Sequence, residues 1–466
     1  MRLYNTLSRS VEELVVEDNT VNMYVCGITP YAPSHLGHAM CAVVFDVIRR
    51  YLEYKGYKVT FIQNFTDIDD KMIIAAHDEG IKVSELAERN IQAYLSELDR
   101  LNVLEASEYP RATEEIDSII QVITDLIGKG YAYEISGDVY FRVKQDEDYG
   151  KLSRRNIDDL LAGARLEIEE TKENPADFAL WKSQKPREPA WDSPWGPGRP
   201  GWHIECTAMS LTYLNNKIDI HGGGQDLVFP HHENEIAQSE SFTSEQFAKI
   251  WMHAGMITIN GEKMSKSVGN VKSINHVLES WGPNVARLFC ISGHYSKPID
   301  YTEDLLKENL IRLRQIETCY YELRLAEESQ ETEDISSLLE ESREKFDAAL
   351  NDDFNTSLGL SVFFNMIKTI NSLAAEEKIT KKIAEQALPV LEYMLEVLGI
   401  EIQTVSDEEI ESVFELINKR ETLRGEKQFE EADKIRDQIA GLGISLIDHK
   451  NKTLWMKKEA IKSEKQ

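Results

Sequence analysis

Two short polar motifs, far apart in the chain, have residue types that can bind a polyphosphate. The first, residues 33–38 (PSHLGH), places His35 and His38 one turn apart at the start of a predicted helix. The free N–H groups and partial positive charge of a helix N-terminus favour phosphate, and Gly37 would let a flat ring approach closely. The same pattern also fits two histidines that merely cap an ordinary helix.

The second motif, residues 263–267 (KMSKS), is followed by Gly269 and carries two lysines among small polar residues. Such a loop can neutralise a polyphosphate whose charge grows as a bond breaks. A lone pair of lysines is weak evidence, because surface lysines are common. The prediction becomes specific only when this motif is combined with residues 33–38.

Four dispersed side chains have the chemistry of a metal site, namely Cys26, Cys206, His231 and Glu235. A spacing of four residues puts His231 and Glu235 on one face of a predicted helix, so both can reach one ion. Two thiolates, an imidazole and a carboxylate form a plausible zinc set. On the residues alone the alternative stays open that both cysteines are buried core thiols.

The elements that would position these motifs begin as strand, helix, strand. Apolar patterns predict a strand over residues 21–25, a helix over 35–54 and a strand over 59–62, which is the start of a parallel α/β sheet. The remaining pattern predicts β structure over 131–143, an ordered loop over 183–200, a strand at 218–220, helices over 304–398, 408–424 and 429–442, and strands at 444–447 and 453–456.

Composition sets the broad class of the protein. Its 466 residues suggest about three domains, and 52 basic against 81 acidic residues give a net charge of −29. That acidity argues against a nonspecific DNA binder without excluding RNA. Five cysteines suit a reducing cytosol, and we expect no signal peptide and no stretch near the ~20 apolar residues of a spanning helix. The sequence predicts a cytoplasmic protein without membrane segments.

The two polyphosphate motifs resemble the HIGH and KMSKS signatures of class I aminoacyl-tRNA synthetases, with Leu36 in place of isoleucine. Within that class the chain resembles cysteinyl-tRNA synthetases from about residue 3 to its C-terminus. The segments that carry this resemblance are 24–27 (YVCG), 64–71 (NFTDIDDK), 178–182 (FALWK), 201–206 (GWHIEC), 221–224 (HGGG) and 229–236 (FPHHENEI).

The resemblance implies a role for each matching residue. The catalytic residues would be His35, His38, Lys263 and Lys266. The ATP-binding residues would add Gly37, Met264, Ser265 and Ser267. The zinc ligands would be Cys26, Cys206, His231 and Glu235, and the substrate contacts would be Trp202, Thr66, His221 and Asp226. His221 and Asp226 can equally be structural turn residues, and Asp67, Asp69 and Asp70 can be either caps or substrate contacts.

The implied reaction is ATP-dependent activation of L-cysteine to cysteinyl adenylate, then transfer to the 3′-terminal adenosine of tRNA-Cys, with Mg²⁺ accompanying ATP. A hydrophobic pocket separates small side chains by only ~1–3 kcal/mol. Zinc, about one ion per chain, would instead bind the substrate thiolate, and it binds a hydroxyl poorly. Either Glu235 binds the ion weakly or the ion becomes five-coordinate.

The resemblance also implies a domain order. We expect a Rossmann-like catalytic domain at 1–250 with an insertion at about 120–200, and a stem-contact segment with the KMSKS loop at 251–310. A helical bundle at 311–400 and a small mixed α/β domain at 405–466 would follow. In the small domain Arg424, Phe429, Asp433 and Asp448 would read the anticodon, with Phe429 where the family commonly has tryptophan. We expect a monomer.

Three other functions remain as alternatives. A cysteine ligase that acts on an amino sugar shares the catalytic half but lacks the anticodon domain. A noncatalytic RNA-binding paralogue would have lost the paired histidines or lysines, and both pairs are present. A zinc hydrolase using His231, His232 and Glu235 lacks the H-E-x-x-H spacing. The other cysteines, Cys41, Cys290 and Cys319, are expected in the core.

Overall fold

A computed structural model of the chain describes residues 1–155, 172–264, 269–329, 333–405, 407–449, 453–457 and 461–462. Near the N-terminus, β1 (Arg2–Asn5) pairs antiparallel with β2 (Ser10–Glu13). The next elements are β3 (Thr20–Ile28), α1 (Leu36–Tyr54) and β4 (Lys58–Phe65), and β3 and β4 are parallel. This unit confirms the predicted strand–helix–strand start. The helices α2 (Asp70–Glu79) and α3 (Val83–Arg100) follow.

An insertion then leaves the parallel sheet. It contains α4 (Ile116–Gly128) and an antiparallel sheet of β5 (Ala132–Ile135), β6 (Asp138–Phe141), β7 (Phe178–Ser183) and β8 (Gly198–Pro200). Residues 183–200 are thus not wholly a loop, because both ends join strands. The fully buried Trp181 packs edge-on against Trp195, with ring centroids 5.9 Å apart, and this packing orders the segment between the strands.

The chain returns to the parallel sheet with α5 (Trp202–Leu214), β9 (Ile218–Gly224), α6 (Glu233–Thr243) and β10 (Ala248–Ala254). The strand order is β10-β9-β3-β4, and each neighbouring pair is parallel. Chain order therefore reverses between β3 and β9. In open parallel sheets the crevice at such a reversal, beyond the carboxyl ends of the strands, is where ligands bind.

A small three-stranded sheet follows β10. Its strands are β11 (Ile257–Ile259), β12 (Glu262–Lys263) and β13 (Ile299–Tyr301), in the order β12-β11-β13, with α7 (Ile274–Trp281) and α8 (Pro283–Ile291) between them in sequence. The backbone N–H of Leu36 donates to the carbonyl of Lys272 at 2.9 Å. This contact ties the start of α1 to the chain that follows the KMSKS motif.

The helical bundle contains α9 (Glu303–Arg324), α10 (Ser336–Asn351), α11 (Thr356–Ala375) and α12 (Lys381–Leu398). Among the described residues, α11 is the one helix whose length and hydropathy would suffice to cross a membrane. By length and composition, α11 is therefore an exception to the expectation that no stretch of the chain could span a membrane. Its buried side chains, including Phe363 and Ile370, belong to the main apolar core.

A terminal unit contains α13 (Asp407–Gly425), α14 (Phe429–Gly441), β14 (Ile444–Asp448) and β15 (Thr453–Lys457). The two strands form an antiparallel hairpin. Trp455 is buried in a small core and lies 5.7 Å, centroid to centroid, from Tyr321 of α9. The fold class predicted from the sequence is confirmed: a parallel α/β sheet with an insertion, a helical bundle and a small mixed terminal unit.

Candidate active site and metal centre

A cavity of about 280 Å³ opens at the carboxyl ends of β3 and β9, where chain order reverses. Residues from both halves of the parallel sheet and from the small sheet that follows it form its walls. The predicted site residues among them are Cys26, His35, Gly37, His38, Trp202, Asp226 and Met264.

The two histidines of the first motif cap α1 and also line this cavity. The backbone N–H of His35 donates to Nδ1 of His38 at 3.2 Å, and the backbone N–H of His38 donates to the carbonyl of His35 at 2.8 Å. Their rings stack with centroids 3.7 Å apart. Capping and ligand binding are therefore compatible here, because the cap holds both rings in the wall beside the positive end of the helix.

The second motif reaches the same cavity. Lys263 ends β12, and Met264 lines the cavity. The Met264 methyl carbon lies 3.6 Å from where a Cβ on Gly37 would stand, so the two motifs are adjacent there. The side chain of Lys263, and Ser265, Lys266 and Ser267, lie outside the described residues.

The four predicted metal ligands converge on one buried point. Cys26 lies in β3, Cys206 in α5, His231 in the helical turn Val228–His232, and Glu235 in the first turn of α6. Their donor atoms all lie within 4.8 Å of one another. Oε1 of Glu235 is 3.3 Å from the Cys26 sulfur and 3.0 Å from Nε2 of His231.

The chemistry of this cluster fits a zinc ion. The two sulfurs are 3.8 Å apart, whereas a disulfide bond measures about 2.05 Å. Burial opposes ionisation of Cys206, but its hydrogen bond with Cys26 and the charge of His231 lower its pKa to about 6. Burial likewise opposes protonation of His231, but Cys206 and Glu235 raise its pKa to about 10. Buried thiolate, imidazole and carboxylate donors are the set that zinc takes.

A shell of further histidines surrounds the four ligands. Nδ1 of His203 lies 2.8 Å from Nδ1 of His231. Nδ1 of His232 lies 2.8 Å from Nε2 of His253, whose Nδ1 contacts the Thr6 hydroxyl at 2.8 Å. Such contacts orient ligands around a metal. The sequence analysis did not identify His203 and His253. A signal was present, because five of the chain's 11 histidines lie between residues 203 and 253, namely His203, His221, His231, His232 and His253.

A second possible ligand set shares Cys26 and Glu235 with the first. It replaces Cys206 and His231 with His221 and His232, again within 4.8 Å. We favour the first set because it contains both thiols, which zinc prefers.

The four predicted substrate residues differ in their placement. Trp202, 36% exposed, lies 4.5 Å from the His231 ring at the cavity wall, and Asp226 also lines the cavity. His221 is fully buried with Nε2 3.2 Å from Oε2 of Glu235, so it contacts the metal cluster. Thr66 is buried, its N–H donates to the Ile28 carbonyl at 3.1 Å, and it is not among the described residues that line the cavity.

Three aspartates after β4 have structural partners. Asp69 is the N-cap of α2 and accepts from the backbone N–H of Lys71 at 2.6 Å. Asp67 accepts from the N–H and hydroxyl of Thr113 at 2.9 and 2.6 Å. Asp70 binds Lys182 at 2.6 Å and also Arg199, which joins α2 to the insertion. These contacts support the capping interpretation over substrate contact.

The remaining cysteines follow the prediction in two cases. Cys290 and Cys319 are fully buried. Cys41 is half-buried: it packs against the main apolar core and also lines the cavity. It lies on the face of α1 that turns towards the cavity, close to the capping histidines.

The four predicted anticodon residues lie on the terminal unit. Phe429 starts α14 and is 60% exposed, as a stacking platform requires, and Asp433 is also exposed. The Asp448 carboxylate accepts two bonds from Arg420, each at 2.8 Å, and lies 3.3 Å from Arg424. Arg420 lowers the pKa of Asp448 to about 2, so this carboxylate positions neighbouring arginines.

Comparisons with known proteins agree with this architecture. Residues 12–310 match the family model for the catalytic domain of class I (C) tRNA synthetases, and residues 345–403 match the DALR domain. A cysteine–tRNA ligase of Caldicellulosiruptor saccharolyticus is 49% identical over 96% of this chain and 98% of its own. One of a Geobacillus species is 48% identical over 98% and 99%.

Among solved structures, methionyl-tRNA synthetase of Mycobacterium tuberculosis in complex with methionyl-adenylate superposes with a TM-score of 0.64. It is 15% identical and covers 82% of this chain and 91% of its own. At that identity the likeness concerns the fold alone.

Proposed function

The chain belongs to the cysteinyl-tRNA synthetase family, and from that premise we propose that it ligates L-cysteine to tRNA-Cys. The observation that carries the proposal is the buried Cys26, Cys206, His231 and Glu235 cluster. It adjoins a cavity whose other wall is the N-terminus of α1. An amino acid that offers a thiol and a nucleotide that offers a polyphosphate would each find matching chemistry there.

The chain's own groups would bind and orient ATP. The N-terminus of α1 with His35 and His38 would receive phosphate oxygens, and Lys263 and Lys266 would close over them. The cysteine carboxylate then attacks the α-phosphorus, and pyrophosphate leaves with its electron pair. These groups would stabilise the charge that grows on the leaving phosphates, with Mg²⁺ accompanying ATP.

Cys26, Cys206, His231 and Glu235 would hold the zinc ion that selects the amino acid. When bound, the ion supplies a thiophilic centre that separates a thiol from a hydroxyl or a methyl group. Trp202 would line the small pocket beside the ion, and His203 would fix the orientation of the His231 ring. Asp226, in the cavity wall, would contact the ribose or the substrate amine.

The second step uses the other half of the molecule. The ribose hydroxyl of the terminal tRNA adenosine attacks the cysteinyl carbonyl, and AMP leaves. Residues Arg424, Phe429 and Asp433 of the terminal unit would contact the anticodon, and Arg420 would hold Asp448 among them. That unit, described over 407–449 and 453–457, favours tRNA over an amino sugar as the acceptor. We also propose a cytoplasmic monomer.

The test of this proposal compares Cys206→Ser with Cys319→Ala, a substitution of a buried thiol in the bundle. Cys206→Ser should lose zinc and raise the KM for cysteine in cysteine-dependent ATP–pyrophosphate exchange, because a hydroxyl replaces a thiolate ligand. Cys319→Ala should keep both properties. Stoichiometric zinc in the Cys206→Ser protein would refute the ligand set, and parental protein that fails to charge tRNA-Cys would refute the function.

A further inference from the structure

A second groove, of about 890 Å³, lies beside the active-site cavity. Asp226 and Met256 line both, so the two spaces adjoin. Arg9, Arg155 and Lys297 also line this groove, which we call the side groove. The histidines of α1 and Met264 line the cavity and not the side groove, so the side groove lies away from the predicted polyphosphate site.

The three cations come from three separate parts of the chain. Arg9 precedes β2, Arg155 belongs to the insertion, and Lys297 follows α8. All three are exposed, and no carboxylate among the described residues forms an ion pair with them. On a chain with a net charge of −29, convergence of three unneutralised cations in one groove favours an anionic ligand.

Two acids line the side groove: Asp226, in the wall shared with the cavity, and Asp353, which already has partners. Asp353 accepts from the backbone N–H of Tyr4 at 2.7 Å and from the Tyr295 hydroxyl at 2.8 Å. Its own N–H donates to the Arg2 carbonyl at 2.8 Å. Asp353 therefore joins the bundle to the N-terminal strands and does not neutralise the three cations.

Aromatic surface lies beside the cations. The guanidinium carbon of Arg155 stands 4.6 Å from the ring centroid of Phe229. Cations that follow a groove next to aromatic and planar side chains are the usual means of holding single-stranded nucleic acid, since phosphates meet the cations and bases stack.

We propose that the side groove binds the phosphodiester backbone of the tRNA 3′ strand while its terminal adenosine enters the cavity. This inference rests on the proposed function and names the path of its acceptor. The contact is sequence-independent, because Arg9, Arg155 and Lys297 would meet phosphates and not base edges.

The test is a triple variant, Arg9→Gln, Arg155→Gln and Lys297→Gln. Its kcat/KM for tRNA-Cys should fall at least tenfold at low salt, while cysteine-dependent pyrophosphate exchange stays within twofold of the parent. Each phosphate contact on a single strand contributes ~0.7 to the slope of log kcat/KM against log salt concentration. Loss of three such contacts should therefore make the slope shallower by about 2. The triple substitution should lower kcat/KM for an acceptor-stem minihelix by the same factor as for full-length tRNA.

The control triple, Lys58→Gln, Lys217→Gln and Lys249→Gln, changes the net charge equally at the amino-terminal ends of β4, β9 and β10. It should charge tRNA like the parent. If the side-groove triple charged tRNA like the parent and kept its exchange activity, the inference would be overturned and the proposed function would stand. If exchange and charging fell together in the triple, the three cations would bind ATP or pyrophosphate, and the inference would also be overturned. Absence of exchange in the parent would refute both.

Discussion

Replacement of Arg287 by methionine would remove a buried cation that joins three parts of the molecule. Arg287 of α8 is fully buried and donates to Oδ2 of Asp46 in α1 at 2.6 Å. It also donates to the carbonyl of Leu398 at the end of α12, and to the carbonyls of Leu101 and Asn102 after α3. A single side chain thus fixes α1 against the bundle.

The expected cost follows from what the substitution leaves behind. Breaking a buried ion pair by removing one partner typically costs ~3–5 kcal/mol, because the remaining charge is uncompensated. Arg50 keeps a bond to the same Asp46 oxygen at 2.8 Å, so we expect the lower end, about 3 kcal/mol. Methionine fills most of the volume, so the loss should come from the unsatisfied carboxylate and carbonyls and not from a cavity.

The assay is chemical denaturation of the parent and Arg287→Met proteins, followed by tryptophan fluorescence. The exposed Lys345–Glu341 pair, with both side chains about 60% exposed, provides the control: Lys345→Met should change the free energy of unfolding by under ~1 kcal/mol. If Arg287→Met lowered the free energy of unfolding no more than Lys345→Met, Arg50 alone would satisfy Asp46. The stabilising role assigned to Arg287 would then be wrong.

The remaining predictions concern pH, activation and tRNA reading. Burial raises the pKa of Glu97 to about 7. Between about pH 4.5 and 7 the folded state therefore binds more protons than the unfolded one, and stability falls as pH rises. Glu97→Gln should raise the free energy of unfolding by ~1–3 kcal/mol at pH 8 and by much less at pH 5; equal gains at both would contradict the shift. Lys266→Ala should slow exchange at least tenfold while equilibrium binding of cysteine survives, and unchanged turnover would remove the loop from the mechanism. Phe429→Ala should weaken tRNA charging and spare exchange, whereas Leu442→Ala, exposed in the same unit, should spare both.

The sequence predicted the parallel sheet because its strands are buried apolar runs that alternate with amphipathic helices. The start of α1 at Leu36 and the strands of the terminal hairpin lie within a few residues of their predicted bounds. The small sheet after β10 was not predicted, because strands of two or three residues have no readable period. Proline and glycine make residues 183–200 resemble a loop, and they hide the three-residue strand Gly198–Pro200.

For the site, spacing places His231 and Glu235 together and donor chemistry adds Cys26 and Cys206, but only the resemblance favours a zinc site over two buried core thiols. Long-range convergence leaves no local pattern, which is why His203 and His253 were missed. His221, predicted as a substrate contact or a turn residue, lies in the middle of β9 and contacts Glu235, a long-range contact that no local pattern shows. Asp448 stays a predicted anticodon residue, and its bond from Arg420 is another long-range contact that the sequence does not show.

The measurement that tests the central claim most directly is ATP–pyrophosphate exchange with cysteine, serine and alanine, with zinc assayed on the same sample. The account predicts exchange with cysteine alone and about one zinc ion per chain. A folded, zinc-loaded protein that showed no cysteine-dependent exchange, or that activated serine equally well, would contradict it.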